Sequence, residues 1–319
     1  MSRTTPPRPV DIAALFPELR EHSATSTRLH PRPGTPTPAD SSVGGPLLWP
    51  AGEAWPVCAE GDAHYTFELR TPANVRRSRE IFAGAAGRSL TDAERAELAV
   101  LDDDEPDGVP AQMPMVPVAQ LYRRDIPDFA GPDDMDLLQI LWCPLDHEEQ
   151  GYNPKVSLVW RRSADVTDPL AAMPEPPVVS EDYLPNPCVV HPEQVREFQY
   201  GGLLPRGLDE RITAWEDEHD LSYQLDLSLA PGWKVGGFAN WSLTDPHPVD
   251  CAECGTPMTL LFTADSSEWQ GGDDSSWRPL EEPEDASPCP VDVTIGRGYS
   301  LYIFRCPVSE KHPPATAMQ

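Results

Sequence analysis

Apolar and polar residues alternate at several places along the chain, and each alternation predicts a strand with one covered face. Tyr65, Phe67 and Leu69 alternate with polar neighbours over residues 64–70, and Tyr223, Leu225, Leu227 and Leu229 do so further on. Residues 115–121, 137–142 and 156–160 are three more strand segments, and 258–263 is apolar enough for a buried strand. A last strand, 299–304, closes the sheet of the second half. Spacings of three and four predict short helices instead. Ala14, Leu15 and Leu19 share a face behind Asp11 as cap, and Leu208, Ile212, Trp215 and His219 share another. Thr91 followed by Glu94 is a capping box that opens a further helix.

The stretch WKVGGFANWSLTDPHPVDCAECG, residues 233–255, has an earlier counterpart. Val43-Gly44-Gly45 answers Val235-Gly236-Gly237 and Trp49 answers Trp241, at an offset of 192 residues. Cys58-Ala59-Glu60 answers Cys251-Ala252-Glu253 at an offset of 193, and a Cys-Pro landmark follows each copy, at Cys143-Pro144 and Cys306-Pro307. Three landmarks in one order predict an internal duplication. The expected fold is therefore α+β and mainly β: two similar halves of antiparallel sheet with few short helices, packed about a pseudo-twofold axis. Its expected divisions are an N-terminal segment 1–27, a first half 28–168, a Pro-rich connection 169–207 and a second half 208–319.

Composition narrows the functions this fold can serve. The 39 prolines keep strands short and loops numerous. A formal charge of −28 repels DNA and disfavours RNA, whose only local footing would be Arg28, Arg32, Arg76, Arg77 and Arg79. The complement of such a surface is a basic protein; on composition alone, plain solubility is the stronger reading of the charge. No apolar stretch is of membrane-spanning length, and residues 1–10 carry no charged-then-apolar leader. Seven cysteines without such a leader point to reduced thiols and a cytoplasmic location.

The segment RLHPRPG, followed by SSVGGPLLWP and WPVC, resembles the YwqG-like proteins of bacteria, and WKVGG, CAECG and LYIFRCP resemble their second half. The same order of Gly-Gly, Trp, Cys-x-x-Cys and terminal Phe-x-Cys is similar, more distantly, to the programmed cell death protein 2 family. The resemblance spans residues 28–312. It implies the two-half arrangement, with Gln120 at the inner edge of the first sheet, and it implies no established reaction. It also supplies two roles for a basic client: an escort of the kind suggested by the eukaryotic relatives, or an antidote to a basic toxin. The opposing class is an enzyme with a hydrolytic or RNA-processing site in the cleft between the halves.

Candidate chemistry centres on the cysteines. Cys251-Ala252-Glu253-Cys254-Gly255 is half of a zinc knuckle, and Cys306 and His312 are the ligands expected to complete it, with Cys289 in reserve. Core packing of free thiols fits the same residues. In the first copy Cys58, Cys143 and His147 remain while the partner of Cys254 is Gly61, so that half is expected to have lost its site. Gly44, Gly45, Gly236 and Gly237 read as tight strand-entry turns rather than phosphate loops, because neither pair opens a helix. Trp49 and Trp241 are candidates for a binding platform or for core. As catalytic candidates His30, His147, His191 and His312 each stand alone and read as exposed, and no catalytic motif is found.

Overall fold

A computed structural model describes residues 2–59, 64–65, 68–104, 106, 108–269 and 276–319. Up to residue 161 the strands are β1 (Ser23–Arg28), β2 (Arg32–Pro33), β3 (Ser42–Val43), β4 (Val57–Cys58), β5 (His64–Tyr65), β6 (Leu69–Arg70), β7 (Met113–Pro114), β8 (Val116–Tyr122), β9 (Leu137–His147) and β10 (Asn153–Arg161). Then come β11 (Val179–Ser180), β12 (Cys188–Val189), β13 (Glu193–Phe198), β14 (Lys234–Gly236), β15 (Thr259–Asp265), β16 (Ser300–Arg305) and β17 (Ala315–Met318). The α-helices are α1 (Ile12–Leu15), α2 (Pro72–Ala85), α3 (Asp92–Asp103) and α4 (Arg206–Glu216). The fold is mostly β, with antiparallel sheets and few short helices, as the periodicity predicts.

Two sheets dominate. One runs β13-β1-β14-β15-β16-β17, the other β10-β9-β8-β3-β12-β2 with β5 added to β9. Their inner faces share one core, in which Val43, Val118, Ile140 and Trp142 meet Trp233, Val235, Phe262 and Ile303. Trp142 and Trp233, both buried, stand with ring centroids 6.4 Å apart at the centre of this contact. The outer face of the sheet containing β8 and β9 carries Trp49, Leu141 and Cys143 in a second cluster, and that of the sheet containing β15 and β16 carries Trp241, Tyr302 and Phe304. A satellite core joins α1 and α4 through Ile12, Phe16, Leu208 and Ile212.

Apart from β5, the strands of the two sheets correspond in order and in register. Val43 faces Ala119 as Val235 faces Phe262, and Leu141 faces Pro117 as Phe304 faces Leu260. Both central pairs carry a register shift at the same step, between Pro117 and Ala119 and between Leu260 and Phe262. The edges correspond as well, but across the chain. β1 pairs with β13 and β14 of the later half, whereas β12 pairs with β2 and β3 of the earlier half. Segment 1–27, read from the sequence as an N-terminal segment, therefore carries most of β1, and segment 169–207, read as a connection, carries β13 of the same large sheet and β12 of the other.

Local chemistry accounts for the elements. The Thr91 and Glu94 capping box forms as expected, satisfying two otherwise unpaired N–H groups at the start of α3. Asp11 accepts from the Ala14 amide and caps α1. One strand expectation fails: residues Tyr223–Ser228 form a single π-helical turn. The Ser222 hydroxyl accepts from Leu225 N and the Asp226 carboxylate accepts from Ser222 N, which closes the turn; Leu225 is left exposed while Tyr223 and Leu227 enter the satellite core. The single strand read over 64–70 is not formed either: its ends belong to β5, paired with β9, and β6, paired with β11 in a separate small sheet, and Phe67 lies outside the described residues. In the acidic segment 266–287, Trp269 and Trp277 are buried, with the guanidinium of Arg8 3.5 Å from the Trp277 ring centroid.

Candidate metal centres

The second-half cysteines converge. Cys251 opens a tight turn in which Gly255 N donates to Cys251 O at 2.8 Å and Cys251 N to Thr256 O at 2.9 Å. Gly255 takes a φ of +68°, a left-handed conformation that glycine adopts without strain, so the turn folds back and presents both sulfurs of the Cys-x-x-Cys on one side. Cys306 lies just beyond the end of β16, and its sulfur accepts from Val308 N at 3.4 Å. Cys254 Sγ lies 3.6 Å from Cys306 Sγ, Cys251 Sγ lies 3.4 Å from His312 Nδ1, and all four ligand atoms fall within 4.8 Å of one another. Tetrahedral zinc, with bonds of about 2.3 Å to sulfur and about 2.0 Å to nitrogen, sets its donors about 3.3 to 3.8 Å apart. Cys251, Cys254, Cys306 and His312 thus form a cluster that can hold a metal ion. Cys289 stands exposed outside it.

The electrostatics of this cluster favour thiolates. The hydroxyl and amide of Thr256 hydrogen-bond to the Cys254 sulfur and bring its thiol down to about 6. Against the opposing effect of burial, the Val308 and Ser309 amides pull Cys306 down, and the hydrogen bond to Cys306 raises His312. Burial raises Cys251.

The first half was expected to lack its fourth ligand, and here the structure corrects the sequence. Gly61, the position aligned with Cys254, lies outside the described residues, but His64 supplies a donor from a different position. Cys143 Sγ lies 3.2 Å from His64 Nε2 and Cys58 Sγ 3.6 Å from His147 Nε2. Cys58, His64, Cys143 and His147 are all buried, with ligand atoms within 4.8 Å of one another. Two local features assemble them. β5 pairs with β9 so that His64 faces His147 directly. Between Trp142 and Asp146 four steps of β9 oppose only two steps of β10, from Val156 to Pro154, so β9 bulges at Cys143, Pro144 and Leu145. In a straight strand residues four apart would stand about 13 Å from each other; the bulge brings Cys143 and His147 to one point. The sequence signal was present in the Cys-Pro landmark followed by a histidine in both halves, at Cys143 and His147 and at Cys306 and His312.

The isolated, exposed reading of the histidines also fails. His147 is fully buried, as is His30, whose Nε2 lies 3.2 Å from the Glu193 carboxylate.

The other expected positions sort into structure. Gly44, Gly236 and Gly237 all have positive φ, at +62°, +74° and +73°. A Cβ on Gly44 would meet Asn186 O at 2.6 Å, and one on Gly237 would meet Glu197 Oε2 at 2.2 Å. Gly45 is equally crowded, with Ser42 Oγ 2.6 Å from where its Cβ would stand. Trp49 is 1% exposed and sits under the Arg161 guanidinium at 4.2 Å, so it is core. Trp241, 7% exposed, borders a shallow cleft with Phe238, Met258 and Phe304. Gln120, fully buried, accepts from Leu48 N and Gln139 Nε2 and donates to Pro38 O and Asp40 O.

The arginines read as a basic strip are all engaged within the chain. Arg28 is fully buried and donates to Trp277 O and Glu268 O. Arg32 pairs with Glu282, Arg76 with Glu175, Arg77 with Glu80 and Glu97, and Arg79 with Asp292. A cavity in the second half contains Lys234, Asp265, Thr263 and Tyr302 in its wall, and its lining comes entirely from residues 224–319. Among the described residues no helix is long and apolar enough to cross a membrane. No protein-family model matches this sequence, and no curated protein matches it either.

Proposed function

We propose that this chain is a cytoplasmic protein-binding protein without a reaction of its own, which escorts or neutralises a basic protein client, and that its second-half cluster holds a structural zinc. The observation that carries the client is the distribution of charge. Arginines are spent on the chain's own carbonyls and carboxylates, as where Arg79 reaches Leu184 O, Glu181 O and Asp292, and Arg161 clamps Glu53. The excess of carboxylates remains outside: residues 102–104, 148–149 and 217–218 are exposed in a chain of formal charge −28. Such a surface draws basic partners and repels nucleic acid. The resemblance to the YwqG-like and programmed cell death protein 2 families supplies the role of escort or antidote.

The matched registers of the two sheets support an origin by internal duplication, in which the first strand of each half is exchanged into the other. Zinc is the metal that suits three thiolates and an imidazole, because soft sulfur donors in tetrahedral array select it over harder cations. Four protein ligands leave no open position, which favours a structural over a catalytic ion. A pull-down of the intact chain followed by mass spectrometry tests the client: recovery of basic proteins that elute with salt supports binding, and recovery of none supports the opposing enzyme class.

A further inference from the structure

We infer that the first-half cluster of Cys58, His64, Cys143 and His147 is a metal site in its own right, a buried two-thiolate, two-imidazole site for zinc. Of its distances from imidazole Nε2 to sulfur, the 3.6 Å of His147 to Cys58 matches the about 3.6 Å that tetrahedral zinc sets between a nitrogen and a sulfur donor, and the 3.2 Å of His64 to Cys143 is slightly shorter. Thiols that only fill space pack against apolar side chains. Here Cys58 and Cys143 have apolar neighbours such as Met113 and Leu145 on one side, and on the other each meets an imidazole nitrogen. The two rings stand with centroids 4.5 Å apart at 70°, edge against face, so both can direct Nε2 to a common centre without stacking.

The backbone is shaped to the same end. The bulge in β9 folds Cys143 and His147 together, and the two-residue pairing of β5 with the end of β9 sets His64 opposite His147. Cys58 comes from β4, paired with β7, so an ion here ties two separate segments, β4 and β5, to the long strand β9. Cys58 and Cys143 occupy the landmark positions of Cys251 and Cys306, while His64 takes the part of Cys254 from a different place in the chain. Binding releases the two thiol protons to solvent and takes up neutral imidazoles, so the site gains a dication and loses two protons, with no change of oxidation state.

Cobalt(II) is the probe, because a tetrahedral cobalt site shows visible d–d bands and a charge-transfer band that grows with the number of thiolates. In the intact chain carrying Cys254→Ser and Cys306→Ser, the second-half cluster keeps one thiolate. We expect that variant, with wild-type circular dichroism, to bind one equivalent of cobalt with two-thiolate intensity; failure to develop tetrahedral bands would overturn the proposal. Native mass spectrometry of protein purified without added metal gives an independent reading. His64→Asn should carry one zinc fewer than wild type, and an unchanged zinc count would equally overturn it. A missing second-half zinc alters neither result, so the two sites succeed or fail separately.

Discussion

His64 and His147 face each other as cross-strand partners on β5 and β9, and each turns its Nε2 toward a cysteine sulfur, His64 toward Cys143 and His147 toward Cys58. The equivalent bond in the second half is the approach of Cys254 to Cys306, and the two places differ in exposure. All four ligands of the first cluster are buried, whereas Cys254 is exposed and His312 half-buried. Metal should therefore leave in two phases when a chelator is added, the faster from the second half. Cys254→Ser should abolish the fast phase and spare the slow one. A single phase, or loss of the slow phase in that variant, would count against the assignment.

If the client is held by surface charge, its affinity should fall as salt rises from low to physiological strength, since screening sets in beyond about 8 to 10 Å in that range. Titration of a co-purified basic partner at several salt concentrations checks this. Affinity independent of salt would contradict a contact held by surface charge.

The buried pair Lys234 and Glu197, 2.6 Å apart, anchors β14 beside the Gly-Gly turn, and Glu197 also accepts from Ala230 N, Phe238 N and Ser26 Oγ. Lys234→Met leaves that carboxylate buried without its cation, which should cost about 3 to 5 kcal/mol. Gly237→Ala should destabilise too, through contact with the same carboxylate and a positive φ. Urea unfolding measures both; a loss under about 1 kcal/mol for Lys234→Met would mean that the cation is not required there.

His30 and Glu268 give a pH signature. Burial lowers His30 to about 4 and raises Glu268 to about 7, and His30 Nδ1 lies 3.7 Å from Glu268 Oε2. For the histidine alone the folded state binds fewer protons than the unfolded between pH 4 and its ordinary 6.5, so its contribution is present above 6.5 and is lost as pH falls through 4. For the glutamate alone the folded state binds more protons between its ordinary 4.5 and 7, so stability is lost as pH rises through that window. The two slopes nearly cancel in the wild type. His30→Phe should show stability falling with pH across that window, and Glu268→Gln should show it rising; the same slope in both variants would refute the pairing.

Much of this fold was legible because local pattern and tertiary role agree. Strands β8, β15 and β16, the Thr91 capping box and the Gly-Gly turns follow from periodicity and glycine placement. Strands β1 and β12 were missed because their register is set by partners far away in the chain, so SATSTR carries no apolar alternation of its own. The turn at Tyr223–Ser228 was misread because hydrogen bonds from Ser222 and Asp226 override an alternation that suits a strand as well. At the metal centres, Cys251 and Cys254 could be picked out by their spacing, and Cys306 and His312 could be named as candidates to complete the set. His64 could not, since only a strand pairing and a bulge bring it to Cys143, and neither leaves a mark that a search for aligned cysteines would find.

Anomalous diffraction above and below the zinc absorption edge, from crystals grown without added metal, tests the central claim most directly. The account predicts two zinc peaks per chain, one among Cys251, Cys254, Cys306 and His312 and the other among Cys58, His64, Cys143 and His147. Sulfurs and imidazoles arranged as described with no anomalous peak between them would contradict it and leave both clusters as packing.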